Sequence, residues 1–284
     1  MDYIVHNGKL AERETIAIDI EDRGYQFGDG IYEVIRVYNG KLFAWKGHCN
    51  RLYASAQKIG LTIPYALEQL KEMLDDLIGK NELQTGTVYL QFTRGVSPRN
   101  HAFPGNEVLP TFIAYTKESE RPVTKMETGV DTWVIEDKRW LYCDIKSLNL
   151  LGNILAYDQA MKQGCSEAIL HRDGIITEGS HTNVAIIKEG ILLTHPANNL
   201  ILNGITRQII LTLCEKQSIP FKERAFTIEE LMDADEAFLS STTLEITPIV
   251  SINGQVVGKG PFVVTKKLQE AFLTEIEKEC GSLT

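Results

Sequence analysis

Lys146 lies in Trp140-Leu-Tyr-Cys-Asp-Ile-Lys-Ser-Leu-Asn149, a mostly apolar stretch. An exposed lysine keeps its proton to a pKa of about 10.4, but burial can lower that by several units. The freed amine can then attack an aldehyde and hold a carbonyl cofactor as a Schiff base. Glu178 follows Asp173-Gly174 in Thr177-Glu-Gly-Ser-His-Thr-Asn183. A carboxylate there could keep a pyridine nitrogen protonated, or it could be a solvated loop charge. Asn203-Gly-Ile-Thr-Arg207 opens an apolar helix whose first N–H groups lack intrahelical partners. It reads as a phosphate cradle using Gly204 and Thr206, or as a helix simply capped by Asn203. Ser240-Ser-Thr-Thr243 could add donors to the same anion or close a hydroxyl-rich turn.

Two further segments could bind anions. Arg51 sits opposite the apolar stripe of its helix, where it is either solvated or lines a wet cleft and grips phosphate with both arms of its fork. In Arg94-Gly-Val-Ser-Pro-Arg-Asn-His101, Arg99 and His101 are two apart. In an extended segment they would share a side and could bind a carboxylate; otherwise this is a basic surface loop. Gly24-Tyr-Gln-Phe-Gly-Asp-Gly30 has the wrong spacing for a dinucleotide fingerprint and leads into a strand. On that strand Tyr32, Val34 and Arg36 share one face, with Ile31, Glu33 and Ile35 on the other.

The elements that must position these groups follow from turn chemistry and periodicity. Asn7-Gly8, Asn39-Gly40, Asp173-Gly174, Glu189-Gly190 and Asn253-Gly254 each separate apolar or β-branched runs, as tight hairpin turns do. Strands are expected at 31–38, 42–45, 88–93, 112–116, 168–171, 184–188, 191–194 and 237–240. Residues 46–59 form a helix with Cys49, Leu52, Tyr53, Ala56 and Ile59 as its buried stripe. Helices are also expected at 66–80, at 151–163 with Leu151, Ile154, Leu155 and Met161 as its stripe, and from Pro261 onward. Thr227-Ile-Glu-Glu230 reads as a capping box. The pattern is α+β with mainly antiparallel sheets. Polar residues 117–125 suggest a linker, giving a small domain at 1–117, a linker at 118–124 and a larger domain at 125–284.

Composition narrows the class. The chain has 284 residues, 43% hydrophobic and 24% charged, as soluble globular enzymes do. A net charge of −9 argues against nucleic acid. No apolar run approaches the ~20 residues of a membrane helix, and no secretory leader is visible. Five scattered cysteines without a C-x-x-C pair fit a reducing cytoplasm, and neither they nor the six histidines form a metal-site pattern.

Taken together, Glu21-Asp-Arg-Gly-Tyr-Gln-Phe-Gly-Asp-Gly30, Arg51-Leu-Tyr-Ala-Ser55, Cys143-Asp-Ile-Lys-Ser-Leu-Asn-Leu-Leu151, Thr177-Glu-Gly179, Asn203-Gly-Ile-Thr-Arg207 and Ser241-Thr-Thr243 resemble the fold-type IV pyridoxal-phosphate enzymes. Within them the chain is most similar to the bacterial D-amino-acid aminotransferases. The resemblance implies two α+β domains with pyridoxal 5′-phosphate in the cleft between them. It implies ping-pong transamination between D-amino acids and 2-oxo acids in a homodimer. Lys146 would bind the cofactor aldehyde and move the α-proton, and Glu178 would pair with the ring nitrogen. Arg51, Ile205, Thr206, Ser241 and Thr242 would hold the phosphate. Leu202 would pack on the ring, with Arg139 and Ser180 beside it. Tyr32 would bind the substrate carboxylate together with Arg99 and His101 from the other subunit. Val34, His181 and Thr182 would line the substrate. Two positions depart from the family pattern: Ser180-His181-Thr182 replaces a run of serines, and Tyr142 stands where a basic residue is expected. The competing expectations are an L-branched-chain aminotransferase, an aminodeoxychorismate lyase and, more remotely, a non-catalytic binder of a phosphate ligand.

Overall fold

The computed structural model describes residues 2–258 and 260–283. They fall into two compact units. One holds the chain to Glu120, together with Ile145–Asn149 and the segment from Ile276 onward; the other holds Arg121–Asp144 and Leu150–Glu275.

The first unit is built on six strands: β1 (Tyr3–His6), β2 (Lys9–Glu12), β3 (Gly30–Tyr38), β4 (Lys41–Leu42), β5 (Gly86–Thr93) and β6 (Thr111–Glu118). They form an antiparallel sheet in the order β2-β1-β6-β5-β3-β4. Three helices accompany it: α1 (Arg23–Phe27), α2 (Trp45–Lys58) and α3 (Leu67–Lys80). Helix α2 buries Cys49, Leu52 and Ala56, and α3 buries Leu70, Leu74 and Leu77, into one core with Ile35, Val88, Leu90 and Phe112 of the sheet. Gly24–Gly30 is more ordered than a turn. Asp22 caps α1 by accepting the Gly24 N–H (2.8 Å), and Gly28 ends the helix in the left-handed region.

The second unit contains β7 (Val130–Glu136), β8 (Glu167–Arg172), β9 (Ile175–Gly179), β10 (Asn183–Lys188), β11 (Ile191–Thr194), β12 (Phe221–Glu223), β13 (Glu236–Ser241), β14 (Glu245–Ile252) and β15 (Gln255–Val256). The sheet order is β12-β11-β10-β13-β14-β7-β8-β9, with β15 on β14. The pairs β11–β12, β14–β7 and β7–β8 are parallel and the rest antiparallel, which gives an α+β sheet of mainly antiparallel character. Its helices are α4 (Val123–Thr128), α5 (Leu151–Lys162), α6 (Ile205–Lys216), α7 (Ile228–Met232) and α8 (Val263–Cys280), the last ending in the first unit. The Glu236 carboxylate caps α8 by accepting the N–H groups of Val264 (2.9 Å) and Thr265 (2.8 Å).

All five X-Gly turns close hairpins with positive φ at both residues, for example Asn7 at 47° and Gly8 at 81°. The capping box forms as expected: Thr227 Oγ1 accepts from the Glu230 N–H (3.1 Å), and Glu230 accepts from the Thr227 N–H (2.9 Å). Three expectations need correction. The strand expected at 42–45 stops at Leu42, because Ala44 turns left-handed (φ 54°) and α2 begins at Trp45. The stripe expected to bury α5 faces outward: Leu151, Ile154, Leu155 and Met161 are exposed, and the face on β8 is made by the small residues Ala156 and Ala160. Helix α6 is capped at Gly204 rather than by Asn203, whose side chain instead accepts from Arg207 Nη1 (3.0 Å).

Candidate functional site

In the first unit the segment around Lys146 is stitched to β3. Tyr32 N–H donates to the Lys146 carbonyl (3.0 Å), Leu148 N–H to the Gly30 carbonyl (3.0 Å), and Lys146 N–H to Ser55 Oγ (3.2 Å). The half-buried Lys146 therefore has a fixed backbone, and its Nζ lies 4.3 Å from the centre of the Tyr32 ring. Tyr32 stacks on Tyr89 (5.6 Å), which stacks on Tyr115 (4.9 Å); Val34 is half-buried on the same face of β3. Arg36, on that face too, is buried and spent on Ser119.

Arg51 is not a solvated helix residue. Its Nε and Nη2 donate to the two carboxylate oxygens of Glu33 at 2.7 and 2.8 Å, and His48 Nδ1 meets the same carboxylate at 2.8 Å. Burial alone would raise the Glu33 pKa, but Arg51 and His48 outweigh it and hold the carboxyl far below the usual range. Burial also pushes His48 down, aided by the charges of Arg51 and Lys146. Glu33 and His48 had no spacing signal; only the strand face opposite Tyr32 hinted at Glu33.

Arg99 and His101 lie on an exposed loop that bends rather than extending. They meet over the Phe27 ring: Arg99 Cζ is 4.5 Å from its centre, and the His101 ring is 5.7 Å away.

In the second unit Glu178 is buried, which excludes an exposed loop carboxylate. It accepts from Arg139 Nη1 (2.6 Å), Leu202 N–H (3.0 Å) and Asn183 Nδ2 (3.1 Å). Burial pushes its carboxyl up to about 7 against the pull of Arg139. Arg139 also forks onto Asp137 through Nε and Nη2, both at 2.9 Å, and Arg172 joins Asp137 at 3.1 Å. Burial pushes the nearby Cys143 thiol up to about 11.

The N-terminus of α6 has no side-chain cap, and Ile205 and Thr206 are buried there. A Cβ at position 204 would lie 2.1 Å from Asn183 Oδ1, so the Asn183 side chain would have to move off its bonds to Glu178 and Leu202. Asn183 pairs in register with Ser240, which places the Ser241–Thr242 turn at the same end of β10 and β13. Ser241 Oγ closes that turn by accepting the Leu244 N–H (3.1 Å), and Thr242 is half-buried. Ser180, His181 and Thr182 converge on the wholly buried Glu167. It meets Ser180 Oγ, His181 Nδ1 (2.9 Å) and Thr182 Oγ1 (3.1 Å), and these partners outweigh burial to lower its pKa. His181 is half-exposed and meets Tyr157 edge-on (5.2 Å). Asp137, Asn183 and Glu167 escaped the sequence reading, because the partners that bury them are mostly remote in the chain: Thr177 and Arg172 for Asp137, Leu202 for Asn183 and Ser180 and Thr182 for Glu167. Tyr142 is exposed, beside Trp140 (5.5 Å).

Residues 30–252 match the family model described as amino-transferase class IV. A D-alanine aminotransferase of Listeria monocytogenes serotype 1/2a (strain 10403S) is 53% identical over 285 residues, covering 99% of this chain and 98% of that protein. One from Staphylococcus aureus (strain COL) is 49% identical over 278 residues, covering 98% and 99%. The solved branched-chain amino acid aminotransferase of Escherichia coli superposes with a TM-score of 0.89 at 29% identity, covering 96% of this chain and 94% of that one.

Proposed function

The chain belongs to the class IV aminotransferases, and from that membership we propose that it transfers amino groups between D-amino acids, such as D-alanine and D-glutamate, and 2-oxo acids such as pyruvate and 2-oxoglutarate. The family uses pyridoxal 5′-phosphate. When bound, that cofactor supplies an aldehyde that joins amines covalently and a ring that withdraws electron density from the adjacent carbon.

The residues fit such a group. The observation that carries the reading is Glu178: a buried carboxylate, held in place by Arg139, Leu202 and Asn183, is suited to pair with one protonated ring nitrogen rather than with water. The uncapped, buried start of α6 offers N–H donors and a favourable dipole to phosphate. We therefore assign Lys146 to the aldehyde, Glu178 to the ring nitrogen, Leu202 and Ser180 to the ring surroundings with Arg139 bracing Glu178, and Arg51, Ile205, Thr206, Ser241 and Thr242 to the phosphate.

Lys146 Nζ takes the proton from the α-carbon of the bound amino acid. Tyr32, with Arg99 and His101 of a second copy, holds the carboxylate and so decides which enantiomer turns its α-proton toward Nζ. Val34, His181 and Thr182 border the substrate. A homodimer is the form that lets an exposed Arg99-x-His101 loop serve a site. The exposed Leu151, Ile154 and Leu155 of α5 supply apolar surface for such an assembly. The cytoplasm is the proposed compartment, because all five cysteines are free and buried.

The test offers purified protein D-alanine or L-leucine with 2-oxoglutarate, with chiral analysis of the glutamate formed. D-Glutamate from D-alanine supports the assignment. L-Glutamate from L-leucine alone transfers the chain to the branched-chain enzymes, and pyruvate from aminodeoxychorismate without an amino acceptor transfers it to the lyases.

A further inference from the structure

The Arg99-x-His101 loop is exposed, yet it is gripped from beneath. Arg23 is buried, and its Nη1 donates to the carbonyl oxygens of Asn100 (2.7 Å) and Ala102 (3.3 Å), one on each side of His101. Its Nε donates to Asp29 Oδ2 (2.8 Å). Arg94, also buried, puts Nε on the same carboxylate at 2.8 and 3.1 Å, and its Nη1 and Nη2 on the carbonyl oxygens of Gly60 (3.0 Å) and Ile59 (2.8 Å). The rings follow the same plan. Phe103 lies under Arg94 (3.8 Å) and Arg23 (5.8 Å), and Phe27 lies between Arg23 (4.8 Å) and Arg99 (4.5 Å). One carboxylate thus neutralises two buried guanidinium groups: Arg23 fixes the backbone on which Arg99 and His101 stand, and Arg94 anchors the same carboxylate to the end of α2 while lying over Phe103. Removing that single charge would leave two close cations uncompensated.

We infer that Asp29, acting through Arg23 and Arg94, is the positioning residue for the substrate-carboxylate pair Arg99 and His101, and presets both side chains over Phe27 before substrate arrives. A preset pair binds without the cost of ordering a loop. The inference rests on the reading that Arg99 and His101 serve the carboxylate of a D-amino acid in a second copy's site.

The test is Asp29→Asn in the full-length, cofactor-loaded protein. The KM for D-alanine should rise about tenfold, with kcat within about twofold, because the lost interaction acts equally on bound substrate and transition state. Trypsin cleavage after Arg99 should accelerate about as much, since it reports local opening. Mixed dimers of Asp29→Asn with Lys146→Ala chains separate positioning from general damage. Their working site combines Lys146 of the first chain with the intact loop of the second, so its KM should return to the wild-type value. A fall in kcat at unchanged KM, a raised KM that persists in mixed dimers, or unaltered trypsin cleavage overturns the inference. Should Asp29→Asn not fold, Arg23→Lys keeps the charge facing Asp29 but loses the second nitrogen that reaches the loop; a wild-type KM there overturns it equally. Wild-type protein that does not turn over D-alanine removes the functional reading instead, before any variant is compared.

Discussion

Replacing Glu178 by Gln changes one atom at the centre of the second unit's polar cluster. The carboxylate accepts from Arg139 at 2.6 Å, Leu202 at 3.0 Å and Asn183 at 3.1 Å. Gln keeps one acceptor and turns an N–H₂ toward donors on the other side. Arg139 retains its fork on Asp137, so the fold should survive. Hydrogen bonds to charged groups contribute about 1.5–3 kcal/mol each, and losing the charge opposite a protonated ring nitrogen should cost about 2–4 kcal/mol in the transition state. At about 1.4 kcal/mol per factor of ten, kcat should fall about 30- to 700-fold. The assay couples pyruvate released from D-alanine and 2-oxoglutarate to lactate dehydrogenase, at matched cofactor content. A variant that keeps more than about a third of the wild-type kcat refutes the role given to Glu178.

Glu178 also predicts a pH effect. Its folded value of about 7 lies above the ordinary 4.5, so between these values the folded protein holds a proton that the unfolded chain has released. Stability of the cofactor-free protein should therefore fall as pH rises through this window, by on the order of 3 kcal/mol, and Glu178→Gln should flatten that slope in urea titrations; parallel slopes contradict it. Glu33→Gln leaves Arg51 and His48 facing an uncharged partner in a buried site; unfolding free energy should drop by about 3 kcal/mol, and cofactor affinity should weaken at least about tenfold by equilibrium dialysis. Leu74→Ala empties a fully buried position of α3 and should cost about 2–5 kcal/mol in urea unfolding while kcat is preserved. Leu155→Glu, on the exposed face of α5, should shift sedimentation toward monomer and lower activity in step with dimer loss.

Local chemistry was legible in the sequence wherever a few neighbouring residues decide the outcome. The five X-Gly turns impose positive φ whatever surrounds them, and Thr227 with Glu230 closes its own cap. Helix α2 needed only its stripe of Cys49, Leu52 and Ala56. Helix α5 shows the limit of periodicity. Leu151, Ile154 and Leu155 declare an apolar face, but burial depends on what covers it, and the sheet takes Ala156 and Ala160 instead. Arg51 was ambiguous for a related reason. The helical wheel sets it opposite the core stripe, and the buried Glu33 that claims it comes from a strand eighteen positions away. Lys146 and Glu178 stand out in the sequence only through the order of the motifs around them. Asp137, Glu167 and Asn183, which brace Arg139, Glu178 and the Ser180–Thr182 turn, stand in no short motif, because their partners include residues remote in the chain: Thr177 and Arg172 for Asp137, Thr182 for Glu167 and Leu202 for Asn183.

The account depends most on the amine of Lys146. Borohydride treatment of the purified yellow protein, followed by peptide mass spectrometry, should bleach the colour and leave a phosphopyridoxyl group on the tryptic peptide carrying Lys146, and Lys146→Ala protein should acquire none. A label on another lysine, or no label with the colour intact, contradicts the assignment.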